Sequence, residues 1–273
     1  MTPSVGYARL SCELVESDTL ELQATGEHTR ALVDSLPLEH VSSVLDVGCG
    51  SGYLARALGR RMTSNAVIRG VDSCSGHIED ARTKAPDDRH RYEVLDFFGD
   101  LSRHEGRYDL VVEKYVLMSV FPFQRGQDFI QRMRRCAKPG GTVALIEADI
   151  NFGQDRQPPA PSPLSRVLPE IVKFYRKNEM IDWRCGPQTY GRMKQAGLLD
   201  VRVQIADGRI IAGGQPSALV THANIGIEEL IEPCLHRPGT SVPLELVARQ
   251  WREYFNNPHG LVYNPIFVCA GTA

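Results

Sequence analysis

VLDVGCGSGYLARAL, residues 44–58, decides how the rest of the chain is read. Val44-Leu45-Asp46-Val47 makes a short apolar strand, Gly48-Cys49-Gly50-Ser51-Gly52 follows, and from Tyr53 to about Met62 the apolar spacing becomes helical. Glycines at such a junction let the backbone turn tightly and let a ligand approach the amino end of the helix. Asp46 stands two residues ahead of the first glycine, and Tyr53 directly follows the third.

Outward from this junction the pattern repeats. Residues 66–71 predict a second strand ending at Asp72, and 76–84 a helix. Residues 91–95 predict a third strand ending at Asp96, and 109–113 a fourth. A helix over 127–137 leads through the turn Lys138-Pro139-Gly140-Gly141 to a fifth strand over 141–148. Strands that alternate with helices mean βαβ units and a mostly parallel sheet. The second half is less regular. Residues 151–163 are proline-rich and read as a loop, 164–178 as an amphipathic helix, and 187–196 as a helix stopped at Gly197. Strands over 201–206 and 266–270 complete a seven-stranded set, the second expected to start after Asn264-Pro265. The expected organisation is a helical lid over 1–40, a core over 41–150 and a cap insertion over 151–186. The core continues over 187–211, a second cap spans 212–262, and the last core strand spans 263–273.

Composition narrows the function. With 273 residues, 42% hydrophobic and 23% charged, the chain can bury one substantial core. A formal net charge of −2 gives no electrostatic reason for a nucleic-acid partner. No apolar run is long enough for a membrane span, and the amino terminus lacks the basic-then-apolar pattern of a signal peptide. The seven cysteines are scattered singly, without C-x-x-C or zinc-like spacing, so reduced thiols, a cytoplasmic location and no metal are expected. A homodimer stays open.

Chemistry follows from the glycine spacing. A dinucleotide fingerprint would read G-x-G-x-x-G and set a pyrophosphate on the helix end, but its third glycine is replaced here by Tyr53. A carboxylate at Asp46 would repel a pyrophosphate and would support a cationic ligand such as S-adenosylmethionine. This argues against a nicotinamide oxidoreductase.

As a set, VLDVGCGSGYLARAL, the acidic residues Asp72 and Asp96, YDLVVEKYVLMSV, KPGGTVALIEAD and GPQTYGRMKQAGLLDVRV resemble the class I, Rossmann-like S-adenosylmethionine-dependent methyltransferases of small-molecule type. The resemblance covers about residues 5–210 and the last strand. It implies that Asp46, Gly48, Gly50 and Gly52 form the cofactor loop, and that Asp72, next to Ser73, chelates the ribose hydroxyls. His77 would lie against the adenine, Asp96 and Phe97 would hold its amino group and ring, and Glu113 would stand beside the methionine moiety. Tyr7 and Gln23 would belong to a lid that closes over the cofactor.

Departures limit the chemistry. Ser119 stands where family members often carry a histidine, and no (N/D)-P-P-(Y/F) motif follows the fourth strand, which reads Glu113-Lys114-Tyr115-Val116. Neither the paired-glutamate loop of protein arginine methyltransferases nor the C-x-x-x-C-x-x-C of radical enzymes is present. Methyl transfer is an in-line displacement that asks the protein to align nucleophile, methyl and sulfur and to exclude water. A base is needed only for a nucleophile that must lose a proton. The candidates are His222 first, then Tyr115 and Asp149, with His236 and Glu147 behind them. The caps carry Phe174, Tyr175, Trp183, Trp251 and Tyr254, a mix suited to a pocket for a small acceptor or to the caps' own core. The arginine-rich composition and the caps resemble secondary-metabolite enzymes. The alternatives are a cofactor-binding but inactive partner subunit and a macromolecule methyltransferase.

Overall fold

A computed structural model describes residues 26–149, 172–173, 175–212, 249, 253 and 261–273. Its centre is a seven-stranded sheet in the order β3-β2-β1-β4-β5-β7-β6. The strands are β1 (Ser43–Val47), β2 (Val67–Asp72), β3 (His90–Val94), β4 (Tyr108–Lys114), β5 (Ala137–Ala148), β6 (Leu199–Ala212) and β7 (Leu261–Thr272). β1 pairs in parallel with β2 and β4, β2 with β3, and β4 with β5, while β7 runs antiparallel to both β5 and β6. The mostly parallel sheet is as the sequence predicts.

The central strands are buried on both faces, which is why they read as near-continuous apolar runs. Alternate residues feed two cores. Leu45, Val47, Val111, Val143 and Leu145 face α4 (Phe123–Cys136) and α5 (Thr189–Gln195) through Phe129, Met133 and Met193. Val44, Ile68, Leu110, Val112 and Ile146 face α1 (Gly26–Asp34), α2 (Tyr53–Arg61) and α3 (Ser75–Thr83) through Leu32, Leu54, Leu58 and Ile78. In α2 the buried Leu54, Ala55, Ala57 and Leu58 make one face, and Arg60 and Arg61 in the last turn complement the helix dipole.

Several expectations need adjusting. Leu32, Val33 and Leu36 are buried against the sheet, so the described end of the expected 1–40 lid is core. α4 starts at Phe123, directly after Pro122, ahead of the apolar periodicity, because its first turn is not yet packed on the sheet. β6 and β7 outrun their expected lengths. They pair across a register shift between Ala206 and Arg209, so Asp207-Gly208, which looks like a turn, is an irregularity inside a longer ladder. Asn264 pairs with Arg209, which places Asn264-Pro265 within β7 and not ahead of it. Cys49, Cys136, Cys185 and Cys269 are buried free thiols, but Cys74 is disulfide-bonded, which departs from reduced thiols throughout.

Candidate active site

Strand order reverses between β1 and β4, since β1 continues to β2 on one side and β4 to β5 on the other. In an open α/β sheet, the crevice beyond the carboxyl ends of such a strand pair is where ligands bind. Gly48 follows β1 at this place, and Tyr115 follows β4.

The glycine loop is tied to β2 by its backbone. The Gly48 and Cys49 N–H groups both donate to the Val71 carbonyl, at 2.8 and 3.0 Å. Gly48 has φ +66°, and a Cβ built on it would lie 2.4 Å from Val116 Cγ2, so no other residue fits between the loop and the chain leaving β4. Gly52 has φ +76° and leaves equally little room, 2.5 Å from the Tyr92 hydroxyl. Gly52 is also the N-cap of α2 and makes no side-chain cap bond, which leaves the helix's amino end to a ligand.

Asp46 is 1% exposed and lies beneath this loop. Its carboxylate accepts the Ala55 N–H, while Oδ2 is buried without a hydrogen-bond partner. Burial, the largest influence, raises its pKa to about 7; Ala55 and Lys114 pull it down, and Asp72 and Glu113 push it up. An orphaned, reluctantly ionised carboxylate fits a cationic ligand, which would supply the missing charge, and disfavours a phosphate.

Asp72 ends β2 with both oxygens already engaged. Oδ2 accepts the Gly50 N–H at 2.9 Å and Oδ1 accepts the Cys74 N–H at 2.9 Å. Each carboxylate oxygen has a second lone pair, so the side chain is held in place and still able to accept from a vicinal diol. His77 is buried, its Nδ1 3.8 Å from Asp72 Oδ1, and Ser73 is exposed beside them. Asp96 is exposed, and its Oδ1 accepts the Phe98 N–H at 2.9 Å. Phe97 is 7% exposed and packs edge-on against Phe129 with centroids 5.3 Å apart. Its ring belongs to the core before it belongs to any ligand.

Residues 44–141 match the family described as methyltransferase domain. Over that stretch the chain is similar to methyltransferase domains. S-adenosylmethionine is the cofactor of that family, and the orphaned Asp46 oxygen, the glycine loop and Asp72 fit it. The chain is 33% identical over 135 residues, 48% of its length and 47% of the relative's, to the 27-O-demethylrifamycin SV methyltransferase of Amycolatopsis mediterranei. It is 31% identical over 106 residues, 38% of its length and 45% of the relative's, to the 2-phytyl-1,4-naphtoquinone methyltransferase of Trichormus variabilis. The chain thus spans a little under half the length of these curated relatives. The phosphoethanolamine N-methyltransferase 2 of Haemonchus contortus, solved with phosphomonomethylethanolamine and S-adenosylhomocysteine, shares the fold. Its TM-score is 0.58 at 16% identity, over 98% of this chain and 60% of that one.

Across the crevice the structure adds what the sequence did not show. Glu113 is fully buried, and its Oε2 accepts the Val116 and Leu117 N–H groups at 2.8 and 3.3 Å, so that oxygen is engaged by the turn after β4. Glu147 is fully buried as well, with Oε1 accepting the Met118 N–H at 3.0 Å. Tyr115 is half-buried at φ +62°, with Lys114 Nζ 4.3 Å from the centre of its ring. Asp149 is ion-paired, its Oδ1 3.4 Å from Arg184 Nε. Tyr7, Gln23, His222, His236, Phe174, Trp251 and Tyr254 lie outside the described residues.

Two features escaped the sequence. Val116 closes against Gly48, and Asp182 locks the cap to the turn after β4, its N–H donating to the Met118 carbonyl at 2.7 Å. Asp182 Oδ2 accepts from Gln188 Nε2 at 2.8 Å. Tyr175 and Trp183, expected of a pocket or a cap core, are 2% and 4% exposed and stack with centroids 4.9 Å apart inside the main core. An aromatic cluster in the sequence looks the same in either role.

Proposed function

We propose that this chain transfers the methyl group of S-adenosylmethionine to a small-molecule acceptor by in-line displacement, leaving S-adenosylhomocysteine. The observation that carries this reading is the buried Asp46 with its orphaned Oδ2 beneath a glycine loop at the switch point of the sheet. A sulfonium cofactor with its ammonium group answers that carboxylate, while Asp72 has the acceptor geometry for a ribose diol. The similarity to methyltransferases of a rifamycin and a naphthoquinone supports a small acceptor and a role in secondary metabolism.

The acceptor lies, in this reading, beyond β4 and β5, near Tyr115 and Met118, with residues 212–262 supplying its roof and His222 the base if the nucleophile must shed a proton. The sulfonium carries the activation; the chain aligns the acceptor and keeps water out. Calorimetry with S-adenosylhomocysteine, S-adenosylmethionine and NAD is the test. Binding of both sulfur compounds with weak NAD binding is expected, and tight NAD binding without them would overturn the reading. Replacing 212–262 by a short turn should leave cofactor binding intact and abolish transfer. Full turnover in a folded deletion variant would move the acceptor site elsewhere.

A further inference from the structure

Glu113 and Glu147 are the most deeply buried acids in the described structure that no step of methyl transfer uses, and both are completely inaccessible. The parallel register pairs Glu113 with Leu145, so Glu147, two residues on, projects from the same face at the neighbouring strand's end. Between them the two carboxyls accept three consecutive backbone N–H groups, those of Val116, Leu117 and Met118. The remaining oxygens, Glu113 Oε1 and Glu147 Oε2, are buried with no other hydrogen-bond partner. Two carboxylates in that position would repel each other in a medium that solvates neither. A proton held between the two carboxyls would remove that repulsion and give both orphaned oxygens a partner.

We propose that Glu113 and Glu147 share one proton and act together as positioning residues, pinning the 116–118 turn that walls the cofactor loop and carries Tyr115 beside it. The inference rests on reading that loop as the cofactor site. Val116 is the residue that meets Gly48, and Met118 is the residue that receives the cap through Asp182. One proton thus ties the cofactor side of the crevice to the acceptor side. Burial raises both carboxyls, Glu113 to about 7 and Glu147 well above its ordinary range, the latter pushed further by the Glu113 charge. Other groups that feel the pair are Asp46 on β1, Cys185 ahead of α5 and Cys269 on β7, with Asp182 and Arg192 acting on Cys185. Loss of the shared proton at alkaline pH leaves two facing negative charges, and the turn lets go.

Binding of S-adenosylhomocysteine measured by calorimetry from neutral to alkaline pH tests this on the full chain. Wild-type affinity should fall about tenfold per pH unit once the shared proton is lost. Glu147→Gln can still accept the Met118 N–H and donate to Glu113, yet has no proton to lose. It should match wild type at neutral pH and stay flat where wild type falls. Glu147→Ala should bind more weakly at every pH. A flat wild-type profile, or a Glu147→Gln profile that falls with wild type, would overturn the proposal. Infrared spectra decide the pair independently of binding. A protonated-carboxyl stretch should be present in wild type at neutral pH and diminished in whichever of Glu147→Gln and Glu113→Gln folds. Were wild type to lack that band, the shared proton would be excluded even if neither variant folded. Failure of S-adenosylhomocysteine to bind wild type at any pH would count against the proposed function, and the infrared band would still judge the pair.

Discussion

On the β1–β2 side of the crevice, acids keep capacity for a ligand; on the β4–β5 side, acids are spent on the protein. Asp46 has an oxygen with no partner, and Asp72 is held by two backbone N–H groups without being sealed off. Glu113 and Glu147 are sealed and bound to one turn. All four follow or end apolar strands at the same edge of one sheet. What separates them is the neighbouring chain. The glycine loop buries Asp46 and leaves its Oδ2 without a donor, whereas the turn after β4 donates backbone N–H groups to both glutamates.

The comparison can be broken most severely at Gly48. Gly48→Ala places a methyl 2.4 Å from Val116 at φ +66°. It should cost about 2–4 kcal/mol of stability by combining left-handed strain with overpacking, and abolish S-adenosylhomocysteine binding. Denaturant melts and calorimetry matching wild type would mean the two sides of the crevice are not in hard contact there.

Asp72→Ala comes next. Losing a charged acceptor should weaken S-adenosylhomocysteine about 10- to 100-fold, from roughly 1.5–3 kcal/mol of hydrogen bonding to an ionised group, and the thermal midpoint should fall as the Gly50 and Cys74 N–H groups lose their acceptor. Unchanged affinity would place the ribose elsewhere.

Asp46 sharpens the contrast through pH. Its folded pKa of about 7 lies above its ordinary 3.8, so the ligand-free protein binds more protons folded than unfolded between those values and loses stability as pH rises through 7. A cationic ligand favours the ionised form, so affinity for S-adenosylmethionine should rise with pH up to about 7 and then level off. Proton release should be seen by calorimetry in buffers of different ionisation heat. Asp46→Asn should bind weakly and without that slope; a slope surviving in this variant would assign it to another group.

The smallest effect is expected at the other end of β4. Burial pushes Asp109 up, but Lys138 at 2.6 Å and bonds from Ser43 and Ser42 outweigh it and hold the carboxyl well below 3.8. Its stabilisation is present above that ordinary value and is lost as pH falls below it. Asp109→Ala should cost about 1–2 kcal/mol in denaturant melts at neutral pH and leave S-adenosylhomocysteine affinity alone. A loss of affinity would show that the foot of the strand is coupled to its working end.

The first βα units of the fold were legible in residues 44–96, because each element there is local. A strand, a glycine turn and a helix are encoded by period, by missing side chains and by an acid at a strand's end, all within one βα unit. The roles of Glu113, Glu147, Phe97 and Trp183 were not legible. An acid after an apolar strand has the same spelling whether it meets a ligand or a neighbouring strand, and an aromatic the same spelling whether it lines a pocket or fills a core. Pairing of β4 with β5, 34 residues apart at Glu113 and Glu147 by the difference of their numbers, sets two carboxyls face to face. The fold of the 115–119 turn then decides that they are covered. By itself the sequence determined which chemistry the chain has to hand, since side-chain type and backbone period are local properties. Only the tertiary structure decided which of those groups a ligand can reach, since burial and pairing depend on residues far apart in the chain.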